Sequence, residues 1–76
     1  MIMRIKNNDV KVMLVKNGKL IHSHTAEDWE TVKSICSDCK AIANKYDAPD
    51  SAFEVRFTDY DHCITEYYTI NGNKKK

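Results

Sequence analysis

The sequence predicts an α+β domain of order ββαββ: a four-stranded, mainly antiparallel sheet with one long helix packed on one face. Three observations predict it. Asn17-Gly18 separates two β-prone runs, an apolar stripe at helical spacing follows, and a second pair of alternating runs comes after Pro49.

The first pair is "VKVMLVKNGKLIHSHT", residues 10–25. Asn-Gly takes the positive φ angles of a type I′ turn, whose twist matches that of paired strands. A regular hairpin then sets Lys16 opposite Lys19, Leu14 opposite Ile21 and Val12 opposite Ser23. The first five residues could extend the first strand, with a bulge or bend at "KNND".

The helix follows, with Thr25 as N-cap and Glu27 and Asp28 at the positive end of its dipole. Trp29, Val32, Cys36, Cys39, Ala43 and Tyr46 recur at steps of 3, 4, 3, 4 and 3, and Ile35 and Ile42 widen that stripe. This spacing predicts one apolar face over about six turns. Pro49 and its neighbours stop the helix.

In the second hairpin, Phe53, Val55 and Phe57 alternate with Glu54, Arg56 and Thr58. "DYDH" is the turn. Ile64, Tyr68 and Ile70 then alternate with Thr65, Tyr67 and Thr69, with Glu66 interrupting the apolar set. Residues 1–70 form a single domain on this reading, and 71–76 form a flexible lysine-rich tail. The sequence pattern does not specify how the two hairpins join.

A chain of 76 residues has room for one core. Its 42% apolar and 30% charged residues are the balance of a folded domain rather than a disordered one. No apolar run approaches the roughly 20 residues of a membrane span. "MIMRIKNNDV" turns charged and polar at once, without the apolar core of a leader, so the expected compartment is the cytoplasm. Three cysteines, two of them three residues apart, do not make a disulfide framework and are read as reduced thiols.

The net charge of +1 hides an uneven distribution. Residues 1–25 carry Arg4, Lys6, Lys11, Lys16 and Lys19 against Asp9; residues 48–70 carry Asp50, Glu54, Asp59, Asp61 and Glu66 against Arg56; and three lysines close the chain.

Cys36-x-x-Cys39 lies within the apolar stripe. Free cysteine behaves as a small buried hydrophobe, and a redox pair would sit at the helix N-terminus, where the dipole lowers the thiol pKa. The pair is therefore read as core. The strand faces bear on a metal alternative. One face of the first hairpin carries Lys11, Met13, Val15, Leu20, His22 and His24; the other carries Val10, Val12, Leu14, Ile21 and Ser23. The second set has the apolar middle and is expected to face the helix. Both histidines then point away from the cysteines, and neither metal nor cofactor is expected. With the opposite face or register, His22, His24, Cys36 and Cys39 would be a four-ligand zinc set.

The open face of the sheet is the leading candidate site. Met13, Val15 and Leu20, ringed by His22, His24, Arg56 and Tyr67, make an apolar patch with a polar rim, the form of a binding surface. Asp59, Tyr60 and Asp61 at the second turn are a secondary contact, since an acidic hairpin could engage a basic groove. Lys11, Lys16 and Lys19, with the tail, are the alternative: a basic hairpin for nucleic acid. Asp59, Asp61 and His62 could form a proton-transfer pair, but an Asp-rich turn is first of all a turn. No serine elbow, phosphate-binding glycine loop or HExxH is present.

The expected function is accordingly that of a small protein-binding domain without catalysis, covering a surface of a larger complex. Size and form associate it with phage and mobile-element inhibitors of the anti-CRISPR or anti-restriction type. A nucleic-acid module and a small zinc protein are the alternatives, and a bare apolar patch could also be buried in a homodimer.

Overall fold

A computed structural model describes residues 10–27, 29–60 and 63–75. Its elements are β1 (Val10–Lys16), β2 (Lys19–Thr25), α1 (Val32–Ala43), a short 3-10 turn (Asp50–Ala52), β3 (Phe53–Asp59) and β4 (Ile64–Tyr68). The strands form one antiparallel sheet in the order β2-β1-β3-β4. The α+β class and the ββαββ order match the sequence expectation. The hairpins join through the central β1–β3 pair, with Val10 opposite Asp59 and Lys16 opposite Phe53. The expected extension of the first strand lies outside the described residues, as do Asp61 and His62.

Asn17 and Gly18 take φ of 50° and 83°, the positive pair that a type I′ turn requires. Lys16 faces Lys19 as expected, but the ladder then slips. Val15 faces Leu20, while Leu14 faces His22 and Val12 faces His24. Ile21 is the extra residue of a β-bulge. Because side chains alternate across a strand, a one-residue slip turns the rest of β2 over. His22 and His24 therefore lie on the helix side of the sheet, not on the open face. The bulge also keeps Ile21 packed against the core, which a polar residue in its place would not reward.

The helix is shorter than the apolar stripe suggests. β2 runs through Thr25, and the Ala26 N–H donates to the Val10 carbonyl at 2.9 Å. Sheet pairing thus takes the backbone that Thr25 would have capped. Thr31 caps instead: its hydroxyl accepts from the Ser34 N–H at 3.1 Å, and the Ser34 hydroxyl accepts from the Thr31 N–H at 2.9 Å. Trp29 and Tyr46, expected on the buried stripe, fall outside the helix and are 74% and 40% exposed.

The core lies between α1 and one face of the sheet. Val10, Val12 and Leu14 of β1, Phe53, Val55 and Phe57 of β3, and Tyr68 and Ile70 meet Ile35, Cys36, Cys39 and Ala43 of α1. The Phe57 and Tyr68 rings pack edge to face with centroids 5.1 Å apart. Glu66 is also buried, accepting a hydrogen bond from the Tyr68 hydroxyl at 3.2 Å and facing the Lys74 ammonium at 3.3 Å.

From Ile70 to Lys75 the chain turns back toward β4. Gly72, at φ 93°, lets it reverse. The Thr69 N–H donates to the Asn73 carbonyl at 2.8 Å, and the Lys75 N–H donates to the Tyr67 carbonyl at 2.7 Å. Residues 73–75 thus run back beside β4. No helix among the described residues is long and apolar enough to cross a membrane.

Candidate functional site

Residues directly opposite one another in a ladder share a face, so the register defines the side of the sheet away from α1. Its middle row is Ser23, Met13, Arg56 and Tyr67; toward the first turn lie Leu20, Val15 and Glu54; toward the other end lie Thr25, Lys11, Thr58 and Thr65. Met13, Val15, Leu20, Arg56 and Tyr67 come together here as expected. Leu20 and Tyr67 are 53% and 43% exposed, whereas Val15 is buried.

Arg56 organises this face. Its Nε donates to Glu54 Oε2 at 2.6 Å, and its guanidinium carbon stands 5.6 Å from the Tyr67 ring centroid. Lys75 meets the other Glu54 oxygen at 3.2 Å. Hydrogen bonding from Arg56 leads in holding the Glu54 carboxyl below its ordinary range, with Lys75 adding to it. The resulting surface has an apolar part (Met13, Leu20 and the Tyr67 ring), a neutralised Glu54, and a rim of Lys11, Thr25, Thr58 and Thr65. The Thr58 and Thr65 hydroxyls lie 3.2 Å apart.

His22 and His24 are the members of the expected set that this face lacks. They lie on the helix side, His22 Nε2 3.2 Å from His24 Nδ1. His24 Nε2 is in turn 3.5 Å from Glu30 Oε1, a buried carboxylate that accepts the Glu27 N–H at 2.8 Å. Although the histidines now face the helix, the four-ligand zinc set does not close. Among the described residues, no three His, Cys, Asp or Glu side chains gather as metal ligands.

Cys36 and Cys39 are buried, as their place in the apolar stripe predicts. The short helix brings Cys36 to its fifth residue, nearer the N-terminus than expected. Burial nevertheless prevails over the dipole, pushing the Cys36 thiol up to about 11 and, with the neighbouring Cys36, Asp38 and Glu30, the Cys39 thiol up to about 12. That is the opposite of what a redox nucleophile needs.

The second turn is divided. Asp59 is buried on the helix side, opposite Val10 and Ile64, while Tyr60 is 67% exposed. Asp61 lies outside the described residues. The basic hairpin is also divided. Lys16 and Lys19 face each other at the turn, and Lys11 stands five residues back along β1, about 17 Å at strand spacing. Of the C-terminal lysines, Lys74 pairs with Glu66 and Lys75 with Glu54, which removes them from any continuous basic patch.

Two features escaped the sequence reading. Trp29 is exposed between β2 and α1, and a groove of about 730 Å³ lies between the start of α1 (Thr31, Val32, Lys33) and the turn after β4 (Asn71, Gly72, Asn73). The Thr31-x-x-Ser34 capping pair was the signal available for the first, since a helix starting there leaves Trp29 in a loop. The groove had no local signal, because its walls are 40 residues apart in sequence at Thr31 and Asn71. No protein-family model, curated protein or solved structure matches the chain.

Proposed function

We propose that this chain is a non-catalytic protein-binding domain that docks through the open face of its sheet. The observation that carries the reading is the Met13–Arg56–Tyr67 row with Leu20 beside it, on the side of the sheet away from α1. Arg56 is held by Glu54 and the Tyr67 ring, so the row is pre-organised, which lowers the ordering cost of binding. Lys11 at the rim favours a partner that presents an apolar patch edged by carboxylates. Phage or mobile-element inhibitors that cover a surface of a larger complex are the form that the chain's size suggests. Three unpaired cysteines agree with a reducing cytoplasm.

The test is recovery of tagged protein from native-host lysate, with and without nuclease, for wild type, Met13→Asp and Tyr67→Asp, each checked for folding by circular dichroism. The expected result is a stoichiometric protein that survives nuclease and is lost with both folded variants. Recovery abolished by nuclease overturns the reading in favour of nucleic acid, whose phosphate contacts also weaken steeply with salt. Recovery of only a second copy of the chain replaces the partner with a homodimer.

A further inference from the structure

The helix side of β2 carries a pair of donors that the open face does not use. His22 Nε2 and His24 Nδ1 are 3.2 Å apart, and their rings are tilted by 47° rather than stacked. We propose that these two nitrogens chelate one divalent cation of the borderline class, Cu(II), Ni(II) or Zn(II), with Glu30 positioning His24 from behind.

The spacing suits such an ion. Two imidazole nitrogens each about 2.0–2.1 Å from one metal stand about 2.9 Å apart at a right angle and about 3.3–3.4 Å apart at the tetrahedral angle. The observed separation lies between these limits. In the metal-free pair one nitrogen must donate to the other. Chelation would require the two rings to turn about their soft terminal torsions until both lone pairs meet at the metal.

Glu30 supplies the independent observation. Its carboxylate is buried, its Oε1 is pinned by the Glu27 N–H at 2.8 Å, and it faces the remaining nitrogen of His24 at 3.5 Å. A carboxylate in that place faces His24 Nε2 and suits the tautomer whose lone pair is on Nδ1. This is the outer-shell arrangement that orients metal-bound histidines.

The site also has access, because the His24 side chain is 29% exposed. Two protein ligands leave positions for water, so the site does not resemble a closed structural zinc centre. The order of affinity follows the general series for nitrogen ligands, with Cu(II) above Ni(II), and Zn(II) below Cu(II).

The probes are CuCl2 and ZnCl2, titrated calorimetrically into untagged protein carrying His62→Ala and Cys63→Ser, which removes the competing donors near the second turn. One saturable ion per chain is expected, with Cu(II) bound more tightly than Zn(II). His22→Ala or His24→Ala, confirmed as folded, should each weaken Cu(II) by more than tenfold. Glu30→Gln should weaken it by about 10–100-fold, and Glu30→Asp, which keeps the carboxylate, should recover part of that loss. No saturable binding in the parent protein overturns the proposal, and so does binding unchanged in both histidine variants. The parent titration decides even if a variant fails to fold.

Discussion

A thiol inside an apolar seam cannot shed its proton easily, because the thiolate would lose its water. Cys36 and Cys39 are in that position, at about 11 and about 12. An acid whose folded pKa is raised contributes stability that is fully present below its unfolded pKa and is lost as pH rises through the folded value. The unfolded thiols titrate near 8.5. Stability should therefore fall as pH climbs from about 8.5 toward 12, and Cys36→Ala with Cys39→Ala should make that fall shallower. Urea midpoints measured from pH 7 to 10.5 give the slopes, and equal slopes would refute the assignment. The burial of both thiols was readable from their 3-and-4 spacing alone, because that spacing puts them on one face wherever the helix begins. The meeting of His22, His24 and Glu30 was not readable, since it depends on a bulge.

At the scale of elements, competition between neighbouring structures sets the boundaries. Thr25 and Thr31 both have a capping side chain. Thr25 is taken by β2, whose ladder reaches Lys11 and continues to Ala26, and the capping role passes to Thr31 with its reciprocal partner Ser34. Thr31→Ala should lower stability by about 1 kcal/mol, seen as a lower urea midpoint with an unchanged slope, whereas Thr25→Ala should leave the helix start intact. A Thr25→Ala loss larger than that of Thr31→Ala would restore the longer helix. The first turn behaved as its local chemistry demands, because Asn17-Gly18 carries its conformational preference within two residues. Ile21 carries no such label. Its inward place reflects a contact with the core rather than a preference of its own.

At the scale of the molecule, one face of the sheet makes the core and the other is left for contact. A chain of 76 residues has about 4–11 kcal/mol of total stability, so a single large core residue is a sizeable share of it. Phe57 is fully buried and packs on Tyr68. Phe57→Ala should cost about 3–5 kcal/mol and lower the melting temperature by more than about 10 °C. Tyr67→Ala, beside Tyr68 in β4 but on the open face, should cost far less. Comparable losses at both positions, measured by thermal melts, would mean that the open face is not free in solution.

The elements themselves were legible because their causes are local. Turn chemistry at Asn17-Gly18, period-two alternation in Phe53–Asp59 and the 3-and-4 recurrence through Ile35, Cys36, Cys39 and Ala43 each act among near neighbours. The helix start, the Ile21 bulge, the order β2-β1-β3-β4 and the return of residues 73–75 along β4 were decided by tertiary structure. Each of these depends on backbone pairing or apolar contact between residues distant in sequence, which no local pattern encodes. The bulge moved His22 and His24 from the open face to the side of Glu30.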